Sequence, residues 1–315
     1  MIEPVPDLSI DLRVSALRTA IRRTVAYADI FDYPLTLDEL HRYLHGERAT
    51  PAELRALVEQ GVPGLAARDG LYALTGRLST IAERRRREAA SDPLAERARL
   101  YARLLKYLPF VRMLGLTGSL AMRNAGGKED IDLMVVTAPG RAWLGRAAVV
   151  AVVRLARLRG DTLCPNYVLA ENALVLDDTS IYAAHELAHM VPLYGRDVYR
   201  RLWSSNPWVM AQLPNAGPWH MPQDRQLPPG RTLKRTAERL LGGVTGDRLE
   251  AYERRRKTDR LYRRQGFRSS EIVLSPDQCN GHFGRHRARV LAAYHERLAR
   301  MIGKARPMDD DACGR

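Results

Sequence analysis

Two short clusters in the chain carry side chains suited to phosphate chemistry: Gly118-Ser119 and, after a spacer of ten residues, Asp130-Ile131-Asp132. Residues i and i+2 of a strand point the same way, so Asp130 and Asp132 share one face while Ile131 turns to the other. Two carboxylates so close repel each other unless a divalent cation neutralises them. Oxygen-only ligands suit Mg²⁺, which keeps waters and takes up phosphate oxygens from a substrate. Gly118 lets the backbone approach a triphosphate closely, and the Ser119 hydroxyl and N–H are donors for a phosphate oxygen. Arg123 and Lys128, in the intervening loop, are the cations placed to offset phosphate charge; the plain alternative is a solvated loop.

The surrounding elements must hold these residues in place. FVRMLGL reads as a strand delivering Gly118-Ser119 to a helix or turn, and IDLMVVT as the strand carrying the aspartates. A helix at 143–158, a strand in NYVLAENALVL and a helix over 180–193 complete an alternating pattern, which implies an α/β core. Upstream, apolar residues at 17, 21, 25 and 28 give a helical period. Thr36 with Glu39 forms a capping box for a short helix, and Thr50-Pro51 opens a third that ends at Gly61. GLAARDGLYAL then reads as a hairpin about Asp69-Gly70. Three helices followed by a hairpin is the order of a winged helix-turn-helix. The boundaries expected are a winged-helix-like domain at 1–77, a basic linker helix at 78–109, an α/β palm at 110–205 and a basic helical C-terminal region at 206–315. The linker reads as one helix or as two interrupted near Asp92-Pro93, and its Arg84–Arg87 run reads as a solvated face. Residues 206–229, rich in proline, form an irregular connection, and the tail PMDDDACGR reads as disordered.

A Gly-Ser pair, a spacer of about ten and a flanked DxD resemble the DNA polymerase beta-type nucleotidyltransferase superfamily. The whole layout, with GSLAMRN, DIDLMVVT and NYVLAEN, also resembles uncharacterised winged-helix plus nucleotidyltransferase-domain proteins of bacteria and archaea. The resemblance implies an α/β (α+β palm) nucleotidyltransferase fold in which Asp130 and Asp132 hold up to two Mg²⁺ ions for in-line nucleotidyl transfer with loss of pyrophosphate. It further implies a third carboxylate on a later strand, which activates the attacking hydroxyl. The strand LCPNYVLAE holds Asn166 there, an amide that can coordinate or hydrogen-bond but is no base. Glu171 and Asp161, at the ends of that strand, are the substitutes, with Glu171 taken as the catalytic candidate.

His185-Glu186-Leu187-Ala188-His189 matches the HExxH pattern of zinc hydrolases, in which two imidazoles on one helix face bind Zn²⁺. No glutamate between 187 and 237 supplies a later ligand, and Ile181, Ala184, Leu187 and Ala188 read as a stripe facing a core. Cys279, His282 and His286 have a looser metal-like spacing.

The 315 residues carry a formal net charge of +14, and only five of the 50 basic residues are lysine. That balance favours polyanionic partners, nucleic acid through the basic helices among them. No apolar run approaches the length of a membrane span, and the acidic, proline-containing start is no signal peptide, so a cytoplasmic protein without a membrane partner is expected. Three scattered cysteines exclude a disulfide framework. The function expected is a Mg²⁺-dependent, ATP- or other NTP-binding transferase that moves a nucleoside monophosphate to an acceptor hydroxyl on nucleic acid, protein or a small molecule. The alternatives are a non-catalytic winged-helix regulator with a degenerate, nucleotide-sensing palm, and a zinc hydrolase acting through HELAH.

Overall fold

The structure, a computed structural model, describes residues 8–127, 129–221, 228–265, 272–281 and 286–303. The chain opens with α1 (Leu8–Ala28), α2 (Leu37–Arg42), α3 (Pro51–Gln60), β1 (Leu65–Arg68) and β2 (Leu71–Leu74). It continues through α4 (Thr80–Leu105), β3 (Val111–Leu116), α5 (Gly118–Ala121), β4 (Ile131–Thr137), α6 (Ala142–Arg157) and β5 (Leu163–Ala170). Next come α7 (Ile181–His189), β6 (Val191–Tyr194), α8 (Arg196–Ser204) and α9 (Trp208–Gln212). The last elements are α10 (Pro228–Leu240), α11 (Gly243–Gln265), β7 (Ile272–Leu274), β8 (Gln278–Gly281) and α12 (His286–Gly303).

Two compact units result. One takes the described residues up to Arg84, with Ala211–Ala216 and those from Arg287 onward; the other takes Arg85–Met210 and Gly217–His286.

In the first unit both helix starts expected from the sequence are capping boxes. Glu39 N donates to Thr36 Oγ1 at 3.2 Å while Thr36 N donates to Glu39 Oε2 at 2.8 Å, and Thr50 and Glu53 repeat the exchange at 3.2 and 2.7 Å. Each satisfies two N–H groups that a helix end leaves orphaned. β1 and β2 are antiparallel about Asp69 and Gly70, whose φ values of 54° and 75° make the tight turn. Leu35 adds an antiparallel bridge to Tyr72. Arg84, the first of the arginine run, is 3% exposed and departs from the solvated face expected of it. Its guanidinium reaches Glu39 at 2.7 and 2.9 Å and lies over the Tyr33 ring at 4.2 Å. The C-terminal helix α12 returns to this unit: Tyr294 Oη meets His45 Nδ1 at 2.9 Å, and Arg297 pairs with Asp29 at 2.8 Å.

In the second unit six strands form one mixed sheet in the order β6-β3-β4-β5-β8-β7. β3 and β4 are antiparallel, β4 and β5 parallel, and β8 antiparallel to β5. This corrects the expectation that residues 206–315 form one helical region, since β7 and β8 extend the sheet and α12 belongs to the other unit. One face of the sheet is the core: Leu114, Leu116, Ile131, Leu133, Val135, Leu163 and Val168 pack on α4 and α6. α4 runs unbroken through Pro93. Its Leu94, Ala98, Tyr101 and Leu105 form a stripe in that core, burial that outweighs the roughly 3 kcal/mol an interior proline costs a helix. Among the described residues no helix is long and apolar enough to cross a membrane.

Candidate active site

Leu114 and Leu116 of β3 face the core, so Gly115 between them faces the other way. Gly115 registers with Met134 of β4, which places Asp132, two residues before Met134, on the same non-core face. The sequence expectation that Asp130 and Asp132 share a face opposite Ile131 therefore has its structural basis for Asp132, with Ile131 1% exposed in the core. Asp130 lies just before β4 and is exposed. Asp132 is half-buried, and burial, then the charges of Asp130 and Glu129, push its carboxyl up to about 7.

β3 ends in a turn that brings Gly118 against this carboxylate. Thr117 N donates to the Asp132 carbonyl at 3.0 Å. Gly118 follows at φ +69°, and a Cβ built there would lie 2.5 Å from Asp132 Oδ2. Only glycine combines that left-handed conformation with that approach. Thr117 is 5% exposed, yet its Oγ1 caps no helix N–H and has no hydrogen-bond partner among the described residues. Buried hydroxyls without a partner are rare.

Residues 124 and 125, after this turn, are tied to it and to α4. Ala125 N donates to Ser91 Oγ at 3.0 Å, and Asn124 N donates to the Ser119 carbonyl at 2.9 Å. Glu129 accepts from Gly126 N at 2.9 Å and from the Ser119 hydroxyl. The Ser119 hydroxyl, expected at a phosphate, is thus donated to Glu129 in this arrangement. Arg123 is a correction: its guanidinium pairs with Asp92 at 2.5 Å, at the surface of α4, and is committed there. Lys128 lies outside the described residues.

On β5, Cys164 stands directly beside Asp132 in the parallel register. Burial and the charges of Asp132 and Asp130 push its thiol up to about 11. The register slips between Asp132 and Met134, opposite Pro165-Asn166. The Asn166 Oδ1 there is buried and has no partner among the described residues. Glu171 is the second correction. It follows Ala170, the partner of Thr137 at the far end of the β4–β5 ladder. Seven residues at ~3.3 Å each put it on the order of 20 Å from Cys164 along the strand, where it pairs with Arg201 at 3.1 Å. Asp161 is likewise committed, to Tyr101 Oη at 2.7 Å and Arg97 at 2.8 Å.

Sequence reasoning passed over Glu129 and read Glu186 only as part of the HELAH zinc pattern. Met190, which follows α7, is fully buried against Gly115: a Cβ there would lie 2.4 Å from Met190 Sδ. α7 therefore covers the non-core face of the sheet, and it packs on α5 as well. Glu186 precedes Met190 by four residues and projects from the same side of the helix. It is half-buried, and burial together with the charge of Asp132 pushes it up to about 7. The HELAH pattern was the signal that singled Glu186 out, read as a zinc motif. In the structure the His185 and His189 rings stack on each other, 5.1 Å apart at 29°. Among the described residues no three His, Cys, Asp or Glu side chains gather as a metal cage around them or elsewhere. His282 lies outside the described residues.

No family model matches this chain, and no curated protein or solved structure matches it either.

Proposed function

We propose that the site around Gly118 and Asp132 performs Mg²⁺-dependent nucleotidyl transfer from an NTP to an acceptor hydroxyl. The observation that carries this reading is the fit of Gly118 at φ +69° against the Asp132 carboxylate. The turn leaves backbone beside a carboxylate, with the unpartnered Thr117 hydroxyl next to it. The likeness of the Gly-Ser and DxD segments to the DNA polymerase beta-type superfamily supports it, as does the mixed sheet that presents them.

The donor set suits a hard cation. Carboxylate oxygens of Asp130 and Asp132 would hold Mg²⁺, and phosphate oxygens and water would fill the rest of its shell. A bound ion would offset the charge of the triphosphate and polarise its α-phosphate. Asp130 and Asp132 fix the position of the α-phosphate through that charge. Gly118 N–H and the Thr117 and Ser119 hydroxyls donate to phosphate oxygens, for which Ser119 exchanges its bond to Glu129.

A second reading, a nucleotide-sensing regulator, draws on one observation: β5 carries Cys164 and Asn166 where a carboxylate would sit. Three helices and a hairpin in the first unit fit a winged-helix domain that would couple such sensing to nucleic acid. Incubation with α-labelled NTPs, Mg²⁺ and cell extract separates the two readings. Transfer of label to an acceptor with equimolar pyrophosphate supports the enzyme, whereas Mg²⁺-dependent NTP binding with no transfer supports the sensor.

A further inference from the structure

We propose that Glu186, from helix α7 rather than from a strand of the sheet, is the catalytic carboxylate that takes the proton of the attacking hydroxyl. The inference rests on the nucleotidyl-transfer reading and completes it, because β5 offers no carboxylate beside Asp132.

A chain of placements leads to Glu186. Asp132, Met134 and Gly115 define the non-core face of the sheet. Met190 is seated on Gly115, and β6 registers Val191 with Leu116, so the end of α7 abuts the strand that leads into Gly118. A side chain four residues before Met190 stands over that same face. Within α7, Tyr182 to His185 and Leu187 to His189 are buried, while Glu186 is not fully so. The HELAH match then has a plain account: its apolar and histidine positions pack the helix down, and its glutamate stays short of full burial.

The step balances without a further reactant. The acceptor oxygen forms a bond to the α-phosphorus of the NTP as its proton passes to a Glu186 carboxylate oxygen. The bond from the α-phosphorus to the bridging oxygen breaks, and pyrophosphate leaves with that electron pair. Water, as the simplest hydroxyl, follows the same course and yields NMP.

The test uses the full chain, each NTP with Mg²⁺, and water as acceptor. Glu186→Gln should bind Mg·NTP within about threefold of the parent, yet release pyrophosphate at least ~100-fold more slowly. Glu186→Asp, which keeps a carboxylate, should recover part of the rate. A second readout needs neither metal nor turnover. Asp132→Asn and Glu186→Gln should each raise the melting temperature at pH 8, and the double variant should gain less than the sum, since one repulsion is removed twice. Failure of the parent to bind any Mg·NTP overturns the reading of the site. Mg·NTP binding with unimpaired turnover in Glu186→Gln, or additive melting temperatures, overturns the assignment of Glu186 alone.

Discussion

Gly118 and Asp132 occupy one another's space: the α-hydrogen of the glycine stands where a Cβ would lie 2.5 Å from the Asp132 Oδ2. Backbone conformation and carboxylate position are therefore set together. Gly118→Ala meets both a left-handed φ, a cost of about 1–2 kcal/mol, and a contact only the carboxylate can relieve by moving. The expected result is a melting temperature several degrees lower with loss of Mg·NTP binding. Calorimetry showing unchanged binding would separate the turn from the site.

Asp132→Asn should leave the fold intact and stabilise it at alkaline pH. The carboxyl is raised to about 7 by burial and by Asp130 and Glu129. A raised acid holds its proton more tightly folded than unfolded, so its contribution is favourable at low pH and is lost as pH rises from about 4 to 7. The variant should thus melt above the parent at pH 8 and level with it near pH 4. Thermal scans at the two pH values check this, and a variant that unfolds at pH 8 contradicts it.

His45 gives the first unit an acid-sensitive joint. Burial, then the charge of Arg23, depress it to about 3, and its Nδ1 meets Tyr294 Oη at 2.9 Å. Below about 6.5 the unfolded chain takes up a proton that the folded chain refuses, so stability falls by roughly 1.4 kcal/mol per pH unit down to the folded value. Denaturant titrations between pH 7 and 4 should show that slope. His45→Phe, with no group to protonate, should flatten it; an equal slope in that variant would place the acid sensitivity elsewhere.

Arg84 and Glu39 test whether a buried ion pair holds the first unit. Burial raises the Glu39 carboxyl, but the hydrogen bonds and charge of Arg84 outweigh it and the net shift is downward. Arg84→Met leaves Glu39 without its main partner and should cost about 3 kcal/mol. Combining it with Glu39→Gln should recover part of that loss, measured as urea midpoints.

What could be read from the sequence was local. Thr36–Glu39, Thr50-Pro51 and Asp69-Gly70 are signals in which the residues that form the motif lie within four positions, and each forms as expected. The Gly-Ser turn and the strand of Asp132 were legible for the same reason, their alternation being written into β3 and β4. Pro93 left one helix or two open, and the apolar stripe of α4 decides for one over a single lost hydrogen bond. β7 and β8 have three and four residues, too short for a period, and they gain their strand character by pairing with β5. Glu186 was out of reach for a different reason. Helix α7 is brought to the sheet by the seating of Met190 on Gly115 and the pairing of Val191 with Leu116, which no local pattern encodes.

The central claim, that paired aspartates beside the Gly118 turn hold a cation and a nucleotide, meets its most direct test in calorimetric titration of the full chain with each NTP. Binding should appear with Mg²⁺, vanish in EDTA, and vanish with Mg²⁺ in the folded variants Asp130→Asn and Asp132→Asn. Equal NTP affinity in EDTA, or normal Mg·NTP binding by either variant, would contradict it.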